Sequence, residues 1–141
     1  MRVIILTGLP GSGKSTISKT RFPGYYRINQ DDLGSIDKCV EEFKQAADAG
    51  KDIIIDRCNV NKAQRRLWIK LALDFDAESI DCIYLDINEE EAVARSLHRN
   101  NHPTMANLPL AKLKQIVYNF SKELEPPTLD ENFSSILFIR T

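Results

Sequence analysis

Apolar positions along the chain come in short β-branched runs separated by longer stretches of mixed polarity. Val3-Ile4-Ile5-Leu6 and Ile53-Ile54-Ile55 are unbroken apolar runs bounded by polar or glycine residues. Runs of that kind predict strands buried on both faces, as in a parallel sheet. Tyr25–Ile28, Ile80–Ile87 and Ser135–Arg140 predict three more strands. Helices are expected between them. One covers Ser15–Thr20 and is broken by Pro23-Gly24. A second runs from Ser35, its N-cap, to Ala49, with Gly50 as the stop. A third opens on Asn61 with Gln64 in a capping-box pattern and reaches about Phe75. A fourth follows Asn88, with Glu89, Glu90 and Glu91 at its positive end. A fifth starts at Pro109, reaches Leu124 and is ended by Pro126-Pro127. Asn29-Gln30-Asp31-Asp32 reads as an acidic turn. Alternation of strands with helical segments requires right-handed crossovers, hence an α/β fold with a parallel sheet and helices on both faces.

The 141 residues support one domain, residues 1–141, and one core. No repeat or low-complexity segment interrupts the pattern. Net charge is −1 and the pI is about 6.1. A protein that grips long nucleic acid normally shows a basic face, so nucleic-acid contact, where present, is expected to be short and local. Cys39, Cys58 and Cys82 form no CxxC pair, and reduced thiols are the expected state. The apolar run before Gly8 is too short for a signal-peptide core, and no stretch reaches membrane-spanning length. A monomer in the cytoplasm or nucleus, away from membranes, is the expectation.

Chemistry enters with Gly8-Leu-Pro-Gly-Ser-Gly13-Lys14-Ser15, which fits G-x-x-x-x-G-K-[ST] between a predicted buried strand and a predicted helix. Glycines let backbone N–H groups turn inward around phosphate oxygens, and the helix aims its positive end at the same anion. Gly8, Pro10, Gly11, Ser12, Gly13, Lys14, Ser15 and Thr16 are therefore expected to hold ATP, with Lys14 at the β and γ phosphates and Ser15 on Mg²⁺. The fold class becomes a P-loop NTPase/kinase fold with five parallel strands in the order 2-3-1-4-5.

Ligands of an open α/β sheet bind outside the carboxyl ends of the strands, where Asp31, Asp32 and Asp56 fall. Asp56 is placed as a metal or substrate group and Asp31 as the general base; the alternative is an Asp-Asp pair that only caps a turn. Arg57, Asn59, Arg65 and Arg66 follow the same strand and either meet an anionic acceptor or form a solvated helix start. Arg95 and Arg99, four apart on one helix face, and His102 lie where a lid over residues 99–109 would close. An arginine there stabilises charge on the transferring phosphoryl group; the alternative is a basic helix end favoured by the dipole.

Beyond the loop, Ile28-Asn-Gln-Asp-Asp-Leu-Gly-Ser35, Ile54-Ile-Asp-Arg-Cys-Asn59 and Glu125-Pro-Pro-Thr-Leu-Asp-Glu-Asn-Phe133 make the whole chain resemble the polynucleotide 5′-kinase family. Asp56-Arg-Cys-Asn59 with Gln64-Arg65 also resembles kinase-like domains linked to aprataxin-type proteins. The resemblance implies that Asp31 takes the proton of a nucleic-acid 5′-hydroxyl and that Lys14 and Ser15 hold ATP and Mg²⁺. It implies that Asp56, Arg57 and Asn59 line the acceptor side and that Pro126–Phe133 lies near the adenine. The chain departs from the phage member at Gly34, where that enzyme has arginine. It also departs in the lid, where His102-Pro103-Thr104 follows Asn100-Asn101 and the nearest arginine is Arg99. No DxDx[TV] phosphatase motif is present.

Three functions stay in play. A kinase acting on the 5′-hydroxyl of DNA or RNA leads, with Lys14, Asp31 and Arg99 catalytic. A nucleoside or sugar kinase and a non-catalytic nucleotide-binding module are the alternatives, since a fold alone does not fix function.

Overall fold

The computed structural model describes residues 1–97 and 108–140, with Asp31 described by its backbone alone. β1 (Arg2–Gly8) lies at the centre of a five-stranded sheet. β3 (Ile53–Ile55) pairs with one edge of it in the register Val3↔Ile53 to Ile5↔Ile55, and β4 (Ser79–Asp86) pairs with the other from Arg2↔Ser79 to Gly8↔Leu85. β2 (Tyr26–Ile28) extends the sheet beyond β3, and β5 (Ser135–Arg140) beyond β4. All pairs are parallel and the order is β2-β3-β1-β4-β5, as the sequence predicts.

Period-two alternation of side chains divides the apolar runs between two layers. Val3, Ile5, Ile53 and Ile55 face α3 (Ile36–Asp48) and α4 (Lys62–Asp74), and pack with Phe43, Ile69 and Trp68. Ile4, Leu6, Ile54, Ile83 and Leu85 face the other way, toward Ile17 of α1 (Lys14–Arg21) and Phe22. Complete burial of each such side chain is worth about 1.5–3 kcal/mol, which is why these runs set the register. A third cluster joins Leu9 and Ile87 to α5 (Glu89–Leu97) and α6 (Leu110–Glu123) through Ala92, Val93 and Val117. It ties the phosphate loop to the helix that leads into the expected lid.

The caps follow the sequence closely. Ser35 Oγ accepts from Lys38 N at 3.2 Å, and Asn88 Oδ1 accepts from Glu91 N at 2.8 Å. At Asn61 only half of the capping box forms. Gln64 N donates to Asn61 Oδ1 at 2.8 Å, while Gln64 Oε1 accepts from Val60 N, one residue earlier.

Two elements differ from the expectation. Asn29–Asp32, read as a turn, is the start of a short helix, α2 (Gln30–Leu33). Asn29 Oδ1 accepts from Asp32 N at 3.2 Å, an N-cap bond that favours one helical turn, and Gly34 closes it at φ 89°. Leu129–Glu131 forms a 3₁₀ turn, closed by reciprocal bonds between Thr128 and Glu131.

The three cysteines are free thiols; burial pushes Cys82 up to about 11 and raises Cys39, so both stay protonated at neutral pH. Among the described residues no helix is long and apolar enough to cross a membrane.

Candidate active site

β1 ends at Gly8, and the loop that follows is anchored at its base by a bond from Gly8 N to Cys58 O at 3.0 Å. Residues 9–13 then turn back on themselves, with Ser12 N donating to Leu9 O at 3.1 Å. Gly13, in the left-handed region at φ 101°, delivers the chain into α1 without a side-chain cap. The first N–H groups of a helix have no intrahelical partners and point out of its end, here into the loop. The Lys14 ammonium, largely buried, lies within the loop and donates to Gly8 O at 3.2 Å and Leu9 O at 2.9 Å. Thr16 is exposed on α1.

Gly11 is the residue that the packing cannot replace. Its φ is 83°, and a Cβ there would stand 2.4 Å from Ala92 O and 2.5 Å from Ser96 Oγ on α5. Gly11→Ala therefore combines left-handed strain with an overlap against backbone, a cost of about 2 kcal/mol or more. A thermal melt should drop by several degrees, and nucleotide affinity should fall with it because the loop must shift. An unchanged melting temperature counts against this packing.

Beside the loop, Ser15 Oγ donates to Asp56 Oδ2 at 3.0 Å. Asp56 directly follows β3, is 3% exposed, and is fixed in place by Asp56 N donating to Ile28 O at 2.8 Å. The structure thus unites Lys14, Ser15 and Asp56 at one end of the sheet. Asp31 stands in α2, just past the carboxyl end of β2, and Asn29 Nδ2 donates to Asp56 O at 3.1 Å to hold that helix beside β3.

Arg27 was not singled out in the sequence. From β2 its Nε donates to Asp56 Oδ2 at 2.7 Å, its Nη1 to Asp32 Oδ2 at 2.7 Å and its Nη2 to Ser15 Oγ at 3.2 Å. The signal was available: an arginine between Tyr26 and Ile28 in a strand must place its charge at the sheet end or find a buried anion. Gln30 is the other omission; its side-chain oxygen accepts from Arg57 Nη2, and the Arg57 guanidinium also lies 5.9 Å from the Trp68 ring centre.

The fold places the remaining expected residues. Asn59, expected on the acceptor side, is buried at φ 47°, and its amide donates to Leu6 O at 2.7 Å and Arg57 O at 3.2 Å. Its amide braces the end of β1. Arg65 is neither an acceptor-binding group nor a solvated one: it is 0% exposed and paired with Glu131. Arg66 is exposed on α4. Pro126–Phe133, set beside the adenine by resemblance, runs along α4, from Glu125 N bonded to Val60 O down to Phe133 in the α3–α4 core. Arg95 is half-exposed on α5 and paired with Glu91 at 3.4 Å. Arg99, His102 and most of the expected lid lie outside the described residues.

A glycine loop between a buried central strand and a helix, on a parallel sheet of order 2-3-1-4-5, defines a P-loop kinase fold. A family model described as AAA domain matches residues 33–123, more than half of the chain, and the chain belongs to that family. It is homologous to the bifunctional polynucleotide phosphatase/kinase of Schizosaccharomyces pombe, with 33% identity over 137 residues that cover 95% of this chain and 32% of that protein. The chain spans between 16% and 32% of the length of the curated relatives it matches. Among the solved structures that share its fold are two nucleotide complexes. One is Chaetomium thermophilum Kti12 in complex with ADP-AlF3 (TM-score 0.65, 19% identity, 98% of this chain and 88% of that one). The other is Mycobacterium tuberculosis APS kinase in complex with AMPPNP and APS (TM-score 0.61, 15% identity, 97% and 87%).

Proposed function

We propose that this chain transfers the γ-phosphoryl group of ATP, with Mg²⁺, to the 5′-hydroxyl of a nucleic-acid end. The observation that carries the reading is the Ser15–Asp56 hydrogen bond beside the Lys14 loop, with Asp31 one residue into the helix after the neighbouring strand. Homology to a polynucleotide phosphatase/kinase supports the acceptor class.

The donor set suits the metal. Among the described residues no cluster of three His, Cys, Asp or Glu side chains forms a self-sufficient metal site. Magnesium in nucleotide sites needs only one or two protein oxygens beside phosphate and water, and Ser15 Oγ and the Asp56 carboxylate provide them. Bound there, the ion neutralises charge on the β and γ phosphates. The residues do the rest. Gly8, Pro10, Gly11, Ser12, Gly13 and Thr16 shape the phosphate cradle, and Lys14 exchanges loop carbonyls for phosphate oxygens. The 5′-oxygen attacks phosphorus in line, its proton passes to Asp31, and the β–γ bridging oxygen leaves with the electron pair on ADP. Arg57 is assigned to the acceptor side, and Arg95 on α5 with Arg99 in the lid completes charge stabilisation.

Incubation with γ-labelled ATP, Mg²⁺ and 5′-hydroxyl DNA and RNA oligonucleotides tests this directly. Label should appear at the oligonucleotide 5′ end and vanish on chelation. The net charge of −1 favours a small-molecule acceptor as the second reading. Label on nucleosides or sugars alone, with ATP bound normally, overturns the nucleic-acid reading.

A further inference from the structure

Ser15 Oγ carries one proton and two lone pairs. The proton points to Asp56 Oδ2 at 3.0 Å, and Arg27 Nη2 donates to the oxygen at 3.2 Å. The same guanidinium holds Asp56 Oδ2 through Nε at 2.7 Å and Asp32 Oδ2 through Nη1 at 2.7 Å. Asp56 is buried and Arg27 mostly so, whereas Asp32 is exposed. A permanently charged fork therefore spans both oxygens that the metal reading uses. A divalent ion on Ser15 Oγ and a guanidinium nitrogen bonded to that oxygen repel each other at such range.

We propose that Arg27 is a built-in cation of the metal pole, an inference that rests on the Ser15–Asp56 reading above. Its Nη2 branch supplies positive charge to this pole when nucleotide binds without metal. It releases Ser15 Oγ when metal and nucleotide bind together, while Nε on Asp56 and Nη1 on Asp32 keep the side chain in reach. Arg27 is thus a positioning residue that sets how strongly nucleotide affinity depends on metal. The unmodified protein retains much of its affinity in chelator because the protein brings its own charge.

Calorimetric titration of the whole chain with AMPPNP, once in Mg²⁺ and once in EDTA, reads this out without catalysis. The quantity is the ratio of the two dissociation constants, EDTA over Mg²⁺. Arg27→Gln should raise that ratio by about tenfold, the scale of one charge-assisted hydrogen bond, chiefly by weakening binding in EDTA. Arg27→Lys keeps a charge without the fork and should fall between. Asp32→Asn keeps Arg27 but removes the exposed negative charge paired with it; it tests the idea if Arg27→Gln does not fold, and it should lower the ratio a few-fold because the guanidinium charge is less neutralised. A ratio well above one but equal in all forms overturns the role of Arg27 and leaves the metal reading intact. A ratio of one in every form overturns the metal reading itself, and this inference with it.

Discussion

Asp31→Asn leaves ATP binding close to normal and cuts phosphoryl transfer to a 5′-hydroxyl by about 10²- to 10⁴-fold, the range of general-base catalysis. The substitution is nearly isosteric and changes one proton acceptor. The α2 backbone that places residue 31 does not depend on its carboxylate: Asn29 caps the helix through Asp32 N, and Gly34 closes it through a bond to Gln30 O. The nucleotide contacts come from the loop after β1, on a different strand, so KM for ATP should move little while kcat falls. An intact kcat removes Asp31 from the reaction and returns α2 to a capped turn. Loss of ATP affinity together with kcat would mean that residue 31 serves the donor instead of the acceptor.

The sheet was legible because its information is local. Apolar runs such as Val3–Leu6 and Ile53–Ile55 cannot be satisfied except between two layers, and the alternation of strands and helices then leaves few topologies. The phosphate loop was legible for the same reason, since its glycines and Lys14 act through backbone geometry within a few residues. Arg27 and Arg65 were not, and both failures have one cause. The partners of these arginines are 29 and 66 residues away, Asp56 and Glu131. Spacing shows where a charge is, and only the fold shows which buried anion it meets. Asn59 differs: a polar residue after a strand suggests a ligand contact, and the fold adds a structural duty, since the chain turns at positive φ and Nδ2 serves the carbonyls of Leu6 and Arg57, while Oδ1 has no partner among the described residues. The α2 cap was visible in principle, as asparagine three residues before Asp32, but a four-residue helix is too short to show periodicity.

Arg65→Met should destabilise the protein by about 3–5 kcal/mol, the cost of leaving a buried charge without its partner. Arg65 Nε and Nη2 donate to Glu131 at 2.9 Å and 3.1 Å, in a fork-to-fork pair, and Nη1 donates to Asn59 O at 2.9 Å. Glu131 Oε2 also accepts from Thr128 N at 2.9 Å, so one pair joins α4, the loop after β3 and the turn before β5. Removing the arginine strands the glutamate. Removing both need not: replacing a buried ion pair with apolar side chains of similar volume is often neutral or better. Arg65→Met/Glu131→Leu should therefore recover most of the stability in urea melts, with a coupling energy of about 2 kcal/mol or more. The double variant should not recover everything. Asn59 O loses its donor, and Asn59 Nδ2 holds Leu6 O two residues before Gly8, which itself hangs on Cys58 O. A stable double variant with nucleotide affinity reduced a few-fold would separate the two roles, one in the core and one beneath the phosphate loop. A double variant as unstable as Arg65→Met alone would show that geometry, not the unpaired charge, sets the cost.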